Sequence, residues 1–321
     1  MKITIFADPV CTWCWGSVPV IRALAYRYGE QLKISYLMGG MIEDITTYSN
    51  RKLSIGGDIA LSNRNIHEHW LEASSAHGMP VCNTSLHLFD EEHRSTLPQN
   101  YAYIAAHIYC KRHKDSTPKQ SHFHFLRRLQ EATATDGSKT NREEKIIGIA
   151  SATGFDPELF REIFNSDEVK SEYKKNKDLC NEYDVQSFPT FIVEHQGEEI
   201  LLRGFSTYET IAQTIAQLSF NNIKTINDGR EILVKENVKH FISQYGSAYP
   251  VEIATAFSLK RNSGHTALNA ESYELLPDII EELIEDGEIA MAPKGNGFIY
   301  YCLKENETPR HEHNRRMAGI L

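Results

Sequence analysis

A short apolar strand that turns at once into a Cys-x-x-Cys most narrows what this chain can become. Residues 2–7 are apolar and partly β-branched, which suits a strand buried on both faces of a sheet, and Asp8-Pro9 ends it. Beyond it Trp15, Val18, Ile21, Leu24, Ala25 and Tyr28 recur at helical spacing. That periodicity predicts one helix from Thr12 with Cys11 at its first position. Unpaired N–H groups and the positive end of the helix dipole favour a thiolate there, and in such motifs the nucleophile's pKa falls to roughly 3.5 to 7.5. Cys11 is therefore the expected nucleophile. Cys14, one turn further in, is the shielded thiol that would attack a mixed disulfide on Cys11 and release the partner. Asp8 is the carboxylate nearest in sequence, and it reads as a solvated turn residue rather than a proton acceptor.

Half of a zinc site is the competing account of a Cys-x-x-Cys. Zinc needs two more ligands, yet Cys82, Cys110, Cys180 and Cys302 are solitary. The pairs His67/His69, His122/His124 and His311/His313 sit in polar segments that read as surface. No metal and no organic cofactor is expected.

The run Asp8-Pro9-Val10-Cys11-Thr12-Trp13-Cys14-Trp15-Gly16, followed by Pro19-Val20-Ile21, resembles the opening of the DsbA-like cytoplasmic proteins of the thioredoxin superfamily, the FrnE-like dithiol-disulfide isomerases. Far downstream, Tyr183-Asp184-Val185-Gln186-Ser187-Phe188-Pro189-Thr190-Phe191-Ile192-Val193 resembles that family's cis-proline segment. The two matches together cover about residues 1–220. The resemblance implies a thioredoxin fold with a helical insertion over about 59–180 that walls a groove above Cys11. It implies a cis peptide before Pro189, with Ser187 and Phe188 pairing to an extended substrate and Trp13 and Trp15 contacting it. Composition alone makes Pro189 only a strand-start residue. Thr12 and Trp13 would tune the redox poise, and a dithiol partner or glutathione would supply electrons. A related kappa-class glutathione-dependent isomerase fits less well, since that group usually keeps a single Ser or Cys at this place.

The 321 residues, 41% hydrophobic, suffice for two domains. A net charge of −9 argues against general binding to nucleic acid or anionic membrane. No apolar run reaches the length of a membrane span, and no signal peptide precedes the first strand, so the expected location is the cytoplasm. A second strand over 33–38 would lie parallel to the first through a right-handed helical crossover. Gly39-Gly40 then marks either a close backbone approach or a simple turn. Helices are predicted over 59–76, 97–111, 121–134, 143–153, 157–164 and 169–183. A hairpin of strands 191–194 and 199–203 and a closing helix over 208–218 complete this part.

Residues 221–229 read as a polar linker. Beyond them, helices over 232–245, 250–257 and 272–284 and a hairpin of 288–291 with 298–303 follow the order of a winged helix. The third helix and the residues at its ends carry Glu271, Glu274, Asp278, Glu281, Glu282, Glu285 and Asp286, so phosphate would be repelled. Residues 230–305 are accordingly expected to be a separate module for protein contact or homodimerisation, dispensable for the redox chemistry, with 306–321 as a tail. The fold class is α/β: a thioredoxin fold with an inserted helical subdomain, then a small winged-helix-like α+β domain. The expected function is thiol-disulfide oxidoreductase or isomerase acting on protein or small-thiol disulfides. The alternative is a thioredoxin-fold adaptor that presents a client protein to a protease.

Overall fold

The computed structural model describes residues 1–113, 121–227 and 229–303. The tail over 306–321, with His311 and His313, lies outside them. The chain opens with β1 (Lys2–Ala7), α1 (Thr12–Gly16), α2 (Val18–Tyr28) and β2 (Lys33–Met38). Six helices follow: α3 (Ile59–His77), α4 (Leu97–Arg112), α5 (His122–Ala134), α6 (Glu143–Ala152), α7 (Pro157–Phe164) and α8 (Asp167–Glu182). Then come β3 (Thr190–His195), β4 (Glu198–Arg203) and α9 (Tyr208–Leu218). The last part holds α10 (Lys235–Tyr245), β5 (Ser247–Ala248), α11 (Pro250–Ala256), α12 (Leu276–Glu285), β6 (Ile289–Lys294) and β7 (Gly297–Cys302).

The first four long strands form one sheet in the order β2-β1-β3-β4. β1 is central, parallel to β2 with Ile5 opposite Tyr36, and antiparallel to β3 with Ile5 opposite Phe191. Ile3 and Ile5 belong to the large core with Leu24 of α2 and Ile211 and Ile215 of α9, while Phe6 and Ile192 join Cys180 of α8 in a second cluster. Burial on both faces is what the continuous apolar run of β1 required. The inserted helices begin where side chains cap them: Asp58, Ser121, Asp156 and Ser166 each accept a backbone N–H of the first turn.

The helix after the cysteines is two helices. Pro19 has no N–H to give the Trp15 carbonyl, and Ser17 closes α1 instead, its N–H bonding the Cys14 carbonyl at 3.2 Å and its Oγ the Trp13 carbonyl at 2.8 Å. Cys11 is the N-cap of α1 rather than a residue of its first turn, with extended φ −70° and ψ 120°. Further on, α12 starts at Leu276 rather than 272, because Pro277 belongs to a first turn and Leu275 before it takes φ 64°.

Residues 230–303 have the helix order and the three-stranded β5-β7-β6 sheet of a winged helix, but they are not a separate module. Phe241, Ile253, Phe257 and Leu283 are buried in the same core as Ile3 and Leu24. α11 lies along α2, where Tyr26 meets the rings of Phe241 and Phe257 at 5.3 and 5.5 Å. Glu252, fully buried on α11, pairs with Arg22 of α2 at 2.9 Å and with Arg127 of α5. The turn between β6 and β7 is docked too: Asn296 exchanges hydrogen bonds of 2.8 and 2.9 Å with Val81, and the carbonyl of neighbouring Pro80 accepts the Trp15 indole N–H. The polar stretch after α9 is likewise pinned, with Ile226 N–H on the Arg27 carbonyl at 2.7 Å and Asn227 Nδ2 on the Tyr26 carbonyl at 2.8 Å. Polarity in sequence marked a surface path, not a domain linker. A chain ending at Asn227 would lack the Glu252 carboxylate that faces Arg22 and Arg127 and the Tyr249 ring that meets Trp15, so the expectation of a module standing apart from the thioredoxin fold is corrected.

Candidate functional site

Asp8 organises the approach to the cysteines. It is fully buried. Its Oδ1 accepts the Val10 N–H at 2.8 Å, and its Oδ2 accepts Met41 N–H at 2.7 Å, Asn100 Nδ2 at 2.9 Å and Thr96 Oγ1 at 3.0 Å. One carboxylate thus joins the active-site turn, the loop after β2 and the start of α4. Burial raises its pKa, and the hydrogen bonds from Asn100, Val10, Met41 and Thr96 oppose that rise. The solvated-turn reading of Asp8 is wrong, since donors from remote elements converge on it.

Both cysteines are free thiols and nearly inaccessible, Cys11 at 6% and Cys14 at 4% exposure, so Cys11 does not project into bulk solvent. Their surroundings differ. Cys11 lines a cavity of about 430 Å³ and Cys14 does not. Burial pushes the Cys14 thiol well up, and Cys11 and the charge of Asp8 add to the effect. Across from them the Phe188–Pro189 peptide is cis, and the Cys11 thiol donates to the Phe188 carbonyl at 3.4 Å. Ser187 and Phe188 line the same cavity. Gly39 lets them come that close, because a Cβ there would overlap the Phe188 ring; this favours the close-approach reading of Gly39-Gly40 over a simple turn.

Trp13 and Trp15 part company. Trp13 is half-buried at the cavity wall, its ring 5.6 Å from Phe205, 5.7 Å from His77 and 6.4 Å from His69. Trp15 is 1% exposed, edge-on to Tyr249 at 5.6 Å, with its N–H spent on Pro80. It packs against the C-terminal part and does not line the cavity, because an i, i+2 pair on one turn faces opposite sides.

Sequence reasoning missed His77, Lys177 and Cys180, none of which carries a motif. His77, buried at the end of α3, takes the Met79 N–H on Nδ1 at 3.1 Å, which leaves Nε2–H for Thr12 Oγ1 at 3.4 Å. It braces the residue between the cysteines, and the packing of its ring on Gly16 leaves no room for a Cβ. Burial, with a smaller effect of His69, pushes its imidazole down to about 3. An imidazole held neutral in the fold but protonated below about 6.5 in the unfolded chain stabilises the protein above that pH, and the stability drains away as pH falls toward 3. Between pH 7 and 4.5 the wild type should lose about 2–3 kcal/mol more than His77→Gln, at ~1.4 kcal/mol per unit. Denaturant titrations at both pH values measure this, and parallel losses in the two proteins would refute it. Cys180 lines the cavity as well, its thiol pushed up to about 11 by burial.

Among the described residues no group of three His, Cys, Asp or Glu could hold a metal. Of the histidines read as surface, His67, His69, His122 and His124 are partly buried: His67 Nε2 lies 2.9 Å from the Cys82 carbonyl, and His122 stacks edge-on to His107 at 4.8 Å. No helix of the described residues is long and apolar enough to cross a membrane.

A buried thiol pair at a helix start, a cis-proline loop against it and helices inserted between the halves of the sheet define a DsbA-like thioredoxin fold. The profile of the thioredoxin family matches residues 5–213, and the chain belongs to that family. It is similar to the ClpXP adapter protein SpxH of Halalkalibacterium halodurans, 22% identical over 284 residues that cover 86% of each chain. The protein of that name from Bacillus subtilis is 22% identical over 221 residues, 68% of this chain and 67% of its own. Among solved structures, the cytosolic disulfide reductase DsbM of Pseudomonas aeruginosa shares the fold, with a TM-score of 0.51, 20% identity, and coverage of 68% of this chain and 100% of that one.

Proposed function

We propose that this protein is a cytoplasmic thiol-disulfide oxidoreductase or isomerase. The observation that carries the reading is the asymmetry of the pair: Cys11 opens on a cavity beside the cis-proline loop, and Cys14 is sealed behind it. Cys11, as its thiolate, attacks one sulfur of a substrate disulfide. A Cys11–substrate disulfide forms and the other substrate sulfur leaves as a thiolate that takes up a proton. Cys14 then loses its proton and attacks Cys11, so the second substrate thiol departs and the Cys11–Cys14 disulfide remains. Two electrons have passed to the substrate, and an external dithiol or glutathione returns them. Asp8 is a positioning residue: its charge lies near enough to Cys14 to matter, and its four hydrogen bonds hold the turn that carries both thiols. Isomerisation is the branch in which a second substrate thiol, rather than Cys14, resolves the mixed disulfide.

A second reading, an adaptor that holds a client for a protease, has its own support. The likeness to the Halalkalibacterium adapter of ClpXP extends over 284 residues, past the family match that ends at residue 213, and so into the part that packs on α2. Catalytic reduction of insulin, or refolding of a scrambled disulfide protein, separates the two. Multiple turnovers per protein molecule support the enzyme. Client binding without turnover supports the adaptor.

A further inference from the structure

The cavity beside Cys11 joins an apolar floor to a polar rim. At about 430 Å³ it falls in the range of ligand sites, roughly 300–1,000 Å³. Buried side chains of Ile55, Ile66, Trp70, Leu88 and Phe89, from the loop after β2, from α3 and from the segment after it, make its floor. The protein carries a net charge of −9, yet no Asp or Glu lines this cavity, and its one lysine, Lys177 on α8, is in no ion pair among the described residues. Asn181, Gln186 and Ser187 complete an exposed polar rim next to the cis-proline loop.

Resting on the thiol-exchange reading above, we propose that this cavity selects the substrate: a protein segment in which the reacting cysteine is flanked by a large apolar side chain and an acidic residue. The apolar group fills the floor, and the carboxylate meets Lys177 at the rim. A tripeptide thiol such as glutathione supplies carboxylates but no apolar group, so it leaves the floor wet and is the poorer substrate.

The test uses the full-length protein and short peptides of the patterns Cys-Phe-Glu, Cys-Gly-Glu and Cys-Phe-Lys, each as its mixed disulfide with 2-mercaptoethanol, beside glutathione disulfide. Dithiothreitol regenerates the Cys11–Cys14 dithiol, the uncatalysed rate is subtracted, and each turnover yields one peptide thiol and one 2-mercaptoethanol. The Phe peptide should exceed the Gly peptide in kcat/KM by roughly 10- to 100-fold, the effect of burying one large apolar side chain. The Glu peptide should exceed the Lys peptide by about 2- to 5-fold, as a partly exposed ion pair allows, and Lys177→Glu should reverse that order. Equal rates across the panel, or glutathione disulfide as the best substrate, would overturn the proposal and leave the catalytic reading standing. Calorimetry with Ser in place of the peptide Cys covers the remaining case. Binding in the same rank order without turnover would support the pocket and sink the catalytic reading, whereas neither binding nor turnover would remove both.

Discussion

Replacing Cys11 by serine will lower disulfide turnover by about 10³-fold or more, to the background rate of the reductant, because a hydroxyl forms no bond to sulfur and every later step depends on that bond. Cys14→Ser is expected to behave differently. Its Cys11 still attacks, but nothing inside the protein resolves the product, so mixed disulfides through Cys11 accumulate and can be recovered from cells under acid quench. The remaining thiols make the test sharp. Cys110 and Cys302 are more exposed than Cys11, and Cys180 shares its cavity. Were exposure or simple proximity enough, Cys11→Ser would retain activity through one of them. Activity surviving at more than a few per cent, or trapped partners attached to any residue but Cys11, would show that the helix-start position is not what matters.

Glu252→Ala should cost about 3–5 kcal/mol of unfolding free energy, the effect of leaving buried guanidinium groups without their counter-charge. Arg22, Arg127 and Glu252 are each at most 4% exposed. Burial alone would raise the Glu252 carboxyl, but the charges of Arg127 and Arg22 outweigh it and hold the group below the ordinary range. The three residues come from α11, α5 and α2, so the penalty falls on the joint between the C-terminal part and the thioredoxin fold. Denaturant unfolding of the wild type should then show one transition, with tryptophan fluorescence and far-UV circular dichroism coinciding. Replacing all three residues by methionine should recover most of the loss, since a buried ionic cluster is often exchangeable for well-packed apolar groups. A cost below about 1 kcal/mol for Glu252→Ala, or two separate transitions in the wild type, would mean that the C-terminal part folds on its own after all.

The sequence by itself determined what depends on near neighbours. Periodicity and caps located α7 at Pro157–Phe164 and α9 at Tyr208–Leu218 to the residue, and most other elements to within two or three, because a turn of helix or a hairpin is decided by side chains three or four positions apart. The strand that runs into Cys11, the inner position of Cys14 and the hairpin before α9 were legible for the same reason. Tertiary structure alone decided the fate of Asp8, whose donors stand 33, 88 and 92 residues away, and no local pattern separates a carboxylate that will meet them from one that stays in water. It also buried Trp15 against Tyr249 and left Trp13 at the cavity, although both flank Cys14 in an apparently equivalent way. The largest discrepancy lies in the C-terminal part. Its winged-helix order could be read from hydrophobic spacing, but whether such a unit stands free depends on which apolar and charged groups find partners across the interface. Here a buried carboxylate, the ring of Tyr249 and an asparagine in a turn all found theirs on the thioredoxin side.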